Sequence, residues 1–306
     1  MLLSPVVHRR QQQVGSDSPF AGQSNTITST LQQVSLADCE LQIGGTQPLD
    51  SRATTPEEAE SLYKWTLGNT NTVISPLDPK TATLEQILDR SRLVMGDIVT
   101  YKFCATRMVR ESSDQEFSVR SYEFVAFHSY DHIRSVTVHP EIDGGYFWES
   151  LSLGSRFLNR SSDQGWEESF EPPADGMQPT PPSAGLASAL YEDEIELIST
   201  DEVSDSGEKV FRLAFTEIHE GSKNGEILQN VVITSVLISQ ETFRIVTYIR
   251  EEYAHYEQRT RSNGGLVRLD WWLGDISTTH YYDHNLPIVL VAPDDYIPWQ
   301  ETVMAR

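Results

Sequence analysis

A two-residue repeat of apolar and polar side chains sets in near residue 93 and recurs through most of the chain beyond it. Phe117–Phe124 reads Phe-Ser-Val-Arg-Ser-Tyr-Glu-Phe. Successive side chains of a strand point to opposite faces, so this spacing buries one face and wets the other, which no helix can do. Val231–Ile238 and Phe243–Ile249 are the strongest β segments, and the polar Ser239-Gln240-Glu241-Thr242 between them predicts a hairpin. Leu93–Val109, Ser135–His139 (ended by Pro140), Tyr146–Glu149 after the turn Asp143-Gly144-Gly145, Glu194–Ile198, Val210–Phe215, Leu266–Leu273 and Ile288–Val291 carry the same signature. Roughly eight to ten strands emerge, with little helix beyond residue 92 and none of the strand–helix alternation of a parallel sheet. The expected fold is therefore all-β and antiparallel, a jelly-roll barrel or a β-sandwich, with short N-terminal helices and a long extended arm.

Two helix starts precede the strands. Thr55-Pro56-Glu57-Glu58 and Thr83-Leu84-Glu85-Gln86 both place an acid or amide three residues after a threonine cap, the reciprocal capping pattern. Leu62 and Trp65 give the first a small apolar face; Leu84, Ile87 and Leu88 do so for the second. The predicted organisation is a polar arm over 1–53, a helical lead-in over 54–92, a β domain over 93–293 with a long irregular loop at 159–190, and a C-terminal strap over 294–306. The arm is rich in Gln, Ser, Thr and Gly, with Leu31, Val34, Leu36, Leu41 and Ile43 scattered along it, too sparse for a core of its own. The loop is marked by Pro172, Pro173, Pro179, Pro181 and Pro182.

Charge and composition exclude several functions. The formal net charge of -22, from 45 acids and 23 bases, repels nucleic-acid phosphates. Arg244 and Arg250 beside Tyr248, and Arg120 beside Tyr122, are too few for a nucleic-acid patch. No stretch is long and apolar enough for a membrane-spanning helix. Arg9 and Arg10 follow the short apolar run at the start rather than precede it, the wrong order for an export signal. Two cysteines, Cys39 and Cys104, are too few for a disulfide scaffold, and Cys104 in a strand is expected to be a buried free thiol of a cytoplasmic protein.

No residue is assigned as catalytic, as cofactor-binding or as a metal ligand, because no nucleophile elbow, phosphate loop or helical zinc motif occurs. The conspicuous chemistry is an echo: His128-Ser129-Tyr130-Asp131-His132 and His280-Tyr281-Tyr282-Asp283-His284. His128, Asp131 and His132, or His280, Asp283 and His284, supply ligand types suited to zinc or iron, and their histidines titrate near neutrality. Trp148, Trp271, Trp272, Tyr296 and Trp299 are candidate interface anchors, since two consecutive strand tryptophans point to opposite faces and the one turned from the core meets either a partner or a second layer of the same domain.

The run Thr83-Leu84-Glu85-Gln86-Ile87-Leu88-Asp89-Arg90-Ser91-Arg92-Leu93-Val94 resembles capsid proteins of picornaviruses, in which a short helix ending in such a pair leads into the first barrel strand. The similarity spans residues 25–110, arm included, and points to the largest outer capsid protein. It implies an eight-stranded jelly roll assembled with sister or identical subunits into a virion in the host cytoplasm, with a lipid-like molecule inside the barrel and no catalytic role. Two alternatives rest on the residues themselves: a β-barrel module binding an apolar small ligand, and a histidine-dependent metal enzyme on a β fold.

Overall fold

The computed structural model describes residues 34–44, 74–169, 189–259 and 266–293, apart from a few positions within those spans. Among the described residues, two helices, α1 (Leu36–Gly44) and α2 (Leu84–Gly96), accompany twelve strands: β1 (Tyr101–Val109), β2 (Ser118–Ser129), β3 (His132–His139), β4 (Tyr146–Leu153), β5 (Arg156–Ser161), β6 (Gln164–Ser169), β7 (Glu196–Val203), β8 (Lys209–Lys223), β9 (Glu226–Ser239), β10 (Ile245–Arg259), β11 (Leu266–Arg268) and β12 (Trp272–Tyr282). The architecture is all-β and antiparallel, a sandwich type with short helices that is not closed into a barrel. The strand order is β6-β5-β4-β3-β2-β1-β12-β10-β9-β8-β7, with β11 paired to β10.

Two meanders, β1–β6 and β7–β12, are thus joined where β1 runs antiparallel to β12, from Lys102 opposite Tyr282 to Val109 opposite Asp275. Among the described strands, β6 and β7 are the outermost. Glu196, Asp201 and Glu202 on β7, and Glu167 and Glu168 on β6, put charge on both, which discourages edge-to-edge pairing with another chain.

This order overturns the jelly roll and the capsid subunit inferred with it. A jelly roll folds its strands through Greek keys into two sheets packed face to face; here neighbours in sequence are mostly neighbours in the sheet, and the path never returns across itself. The local likeness around Thr83–Val94 reflects a capped helix before a strand, a unit that many folds use. The virion setting and the sister subunits fall with it.

The hairpin predicted over residues 231–249 forms, β9 pairing β10 from Tyr256 opposite Leu228 to Ile245 opposite Ile238. The second predicted helix also forms. Thr83 accepts from the Gln86 amide and the Gln86 side chain accepts from the Thr83 amide. It runs on to Gly96, so Leu93–Met95 are helical and the first strand begins at Tyr101. The helix predicted from Thr55 and the strap over 294–306 lie outside the described residues. Residues 159–169, the start of the span expected to be irregular, belong to the hairpin β5–β6, which begins at Arg156 and turns around Ser162 and Asp163.

Period two then sorts the core. Tyr101 and Phe103 of β1, Val125 and Phe127 of β2, Phe211 and Leu213 of β8 and Val236 and Ile238 of β9 face α2, whose Ile87, Leu88, Val94 and Met95 pack onto them. Side chains of opposite parity face the other side. There Cys39 and Ile43 of α1 pack on Cys104, Tyr122 and Val136, while Ile288 and Leu290 lie against Ala126, Leu151, Leu158 and Trp166. On this second face the Glu149 carboxylate is fully buried between Arg134 (2.7 Å) and Arg160 (2.6 Å), which clamps β3, β4 and β5 together.

Cys39 and Cys104 are disulfide-bonded, with Cα atoms 6.2 Å apart. Cys104 is therefore not a free thiol, and the cytoplasmic or virion placement is corrected with it, because such bonds persist in oxidising compartments. The bond fastens α1, part of the expected polar arm, to the centre of the sheet. Among the described residues no helix is long and apolar enough to cross a membrane.

Candidate ligand site at the end of the central strands

On the α1 side, where β10 and β12 reach the end of the sheet, lies a cavity of about 330 Å³. Leu36 of α1 walls it, with Val246 and Thr247 of β10 and His280, Tyr281 and Tyr282 of β12. Ser206 and Glu208 before β8, Thr242 and Arg244 before β10, and Asp283 and His284 after β12 complete the rim.

Each of these turns is held by identifiable contacts. In the β9–β10 turn Phe243 adopts a left-handed φ of 56°, an uncommon conformation for a bulky residue. Its ring is fully buried, stacked with Phe211 at 6.2 Å and covered by the Arg90 guanidinium at 5.4 Å, so core burial holds the kink. The kink places Thr242 and Arg244, its neighbours on either side, on the cavity. After β12, Asp283 and Asn285 also take positive φ, 52° and 58°, which their short polar side chains tolerate. Asp283 is ion-paired with Lys102 at 2.7 Å, and the Asn285 amide donates to the Thr100 carbonyl at 2.8 Å. His284, between these two anchored residues, is held in the wall.

The two histidines differ in what they have free. His280 Nε2 donates to the Val34 carbonyl at 3.1 Å, and its Nδ1 faces the Thr247 hydroxyl at 3.4 Å. Both nitrogens are engaged, so His280 braces the start of α1 and has no lone pair to offer a metal. His284 is 8% exposed, and its Nε2 has no hydrogen-bond partner among the described residues. Burial, and then the nearby Arg244 charge, lower its pKa to about 4, against a smaller opposing pull from Asp283. It is a neutral imidazole at pH 7. Burial also raises the Tyr281 and Tyr282 phenols above their ordinary range, with Glu40 adding to the effect on Tyr282.

The charged rim groups sort by partner. Glu208 accepts a short hydrogen bond from the Ser239 hydroxyl, and Asp283 has Lys102. Asp205 lies 4.0 Å from His280 Nε2. The Arg244 guanidinium makes no ion pair or hydrogen bond among the described residues.

The two echoed stretches come to the same end of the sheet. His128 stands near the end of β2 and His132 opens β3, and β1 alone separates β2 from β12, whereas Asp131 lies outside the described residues. The side chains of these three residues lie outside the described set. No group of three metal-ligating side chains occurs among the described residues. Of the candidate interface aromatics, Trp148 is half-buried in β4. Trp271, Tyr296 and Trp299 lie outside the described residues, as does the side chain of Trp272.

No protein-family model and no curated protein matches the sequence. Among solved structures, the chain is similar to a LolA superfamily protein from Nitrosomonas europaea at 10% identity, covering 69% of this chain and 96% of that one with a TM-score of 0.25. It is also similar to LprF from Mycobacterium bovis, at 11% identity over 72% and 99% of the two chains with a TM-score of 0.29. A third is the lipoprotein LppX from Mycobacterium tuberculosis, at 10% identity over 70% and 99% with a TM-score of 0.27. These are not the capsid subunits to which the sequence pointed.

Proposed function

We propose that this protein is a binding module that holds one small, largely apolar molecule in the cavity beside α1. The observation that carries this reading is the cavity itself. About 330 Å³ is the low end of the range for small-molecule sites, and its lining combines Leu36, Val246 and Tyr282 with polar groups such as Thr242, Arg244 and Thr247 that could orient a bound molecule. The disulfide supports it as well, since it fixes the α1 wall to the sheet before anything binds and so lowers the ordering cost of binding. A ligand in an open-edged sheet replaces the closed barrel that the sequence suggested for this role.

An uncharged apolar fluorophore, N-phenylnaphthylamine, tests the reading. Saturable binding at one site per chain is expected. Val246→Trp fills the cavity and should weaken that binding at least tenfold while the far-UV circular dichroism is retained. Binding that never saturates, or that the substitution leaves unchanged, overturns the proposal.

A further inference from the structure

Resting on the binding module just proposed, we infer that the Cys39–Cys104 disulfide is a redox latch on the cavity: a dithiol that reduces it frees α1 from the sheet, takes away the Leu36 wall and lowers the affinity for the bound molecule. Among the described residues, little besides the bond holds α1. Of its nine residues only Cys39 and Ile43 are buried, while Ala37, Asp38, Glu40, Leu41 and Gln42 face outward. A helix of that length does not persist in water without packing. Beneath it lie Tyr122, Val136 and a few half-buried neighbours. Just before it, the Val34 carbonyl accepts from His280 at 3.1 Å. The bond grips the middle of the helix, one turn from Leu36, so the cavity wall and the latch move together.

Reduction is a two-electron exchange. One thiolate of the dithiol attacks a sulfur of the bond, forms a mixed disulfide and expels the other cysteine as a thiolate. The second thiolate of the dithiol then closes on the first and expels the remaining cysteine. Cys39 and Cys104 take up the two protons the dithiol gave and end as thiols, and the reductant ends as a cyclic disulfide. The loss stays local, because Cys104 sits on β1, which is paired along its length with β2 on one side and β12 on the other. Both cysteines have no exposed surface, so the reductant reaches them when α1 lifts from the sheet. A molecule seated against Leu36 favours the docked helix and shields the bond. By linkage, the factor by which reduction weakens binding is the factor by which binding disfavours reduction.

Amide hydrogen exchange and N-phenylnaphthylamine affinity separate this inference from the reading beneath it. Both are measured on the full chain, oxidised, reduced with dithiothreitol, and as Cys39→Ala/Cys104→Ala. Reduction should speed exchange in α1 by at least about tenfold and leave β1 and β12 within about twofold. It should weaken the fluorophore by about tenfold. The double variant should bind as weakly as the reduced protein and ignore dithiothreitol; reduced native protein gives the same reading if that variant does not fold. Saturating fluorophore should slow reduction of the oxidised protein by about fivefold or more, and this protection should vanish in Val246→Trp.

Exchange in α1 that reduction leaves unchanged overturns the latch, whatever the cavity binds. Exchange that speeds equally in β1 and β12 makes the bond a staple of the whole sheet and overturns the latch as well. A freed α1 with undiminished fluorophore affinity overturns the link to the cavity and leaves the binding module standing. Absence of saturable binding to the oxidised protein overturns the binding module and the affinity change together, while the exchange of α1 still judges its release.

Discussion

His284 is neutral because the fold keeps solvent from it and sets Arg244 nearby, and that has a thermodynamic consequence. The unfolded chain takes up a proton near pH 6.5 that the folded chain refuses until about pH 4. This contribution to stability is therefore complete above about pH 6.5 and declines as pH falls, by about 3 kcal/mol once pH 4 is reached. Denaturant unfolding of the protein and of His284→Asn at pH 7 and pH 5 should show the variant losing about 2 kcal/mol less over that interval. Equal losses would mean that the imidazole is solvated in the folded state. At the same scale, the sequence singles out His280 and His284 by the repeated His-x-Tyr-Asp-His text, but gives both the same role. What separates them is long-range: Val34 and Thr247 satisfy one ring, while the left-handed turns at Asp283 and Asn285 hold the other against a cavity. Arg244 shows in the sequence as a base beside a strand; that no described carboxylate pairs with it is a property of strands brought together from distant positions.

At the level of elements, signals carried by adjacent residues are legible and signals that need a distant partner are not. Thr83 and Gln86 announce α2 because both halves of the capping exchange lie within one turn. The β9–β10 hairpin is legible because its turn residues sit between two strongly apolar runs. β5 and β6 are lost in the prolines beyond them, since a hairpin turning at Ser162 and Asp163 lacks the glycine or asparagine that usually marks one. The disulfide is invisible for a simpler reason: two cysteines 65 residues apart carry no local sign of contact. It nonetheless decides how α1 behaves. A nine-residue helix is too short to hold alone in water, and this one adds little beyond Cys39 and Ile43 to the core. Closing a loop of that length restricts the unfolded chain by about 4 kcal/mol in the entropic model. Unfolding of the oxidised protein and of Cys39→Ala/Cys104→Ala in guanidinium should differ by about that much. A difference below about 1 kcal/mol would show that α1 stays docked without the bond.

Across the whole molecule, the net charge of -22 is a standing repulsion within the folded chain. Ion pairs such as Arg107–Asp275 and Arg156–Glu168 answer part of it, but the acids outnumber the bases about two to one. Screening shortens the reach of that repulsion to about 10 Å at 0.1 M salt and about 3 Å at 1 M. The melting temperature should accordingly rise by a few degrees between about 10 mM and about 0.5 M sodium chloride. A flat or falling profile would mean that attractive pairs outweigh the excess charge. The same scale explains the mistaken capsid assignment: strand content and arm-like ends are properties of composition, whereas the order of strands in the sheet is written only in which apolar faces meet.

The pairing of β1 with β12 is a seam, the line along which two separately wound ribbons are stitched into one. The cavity opens at one end of that line. Its far wall belongs to the later ribbon, while its near wall, Leu36, belongs to a helix bolted through Cys39 to the earlier one. A molecule lodged between them would touch both ribbons, so under the proposed reading its binding would be linked to the stability of the join.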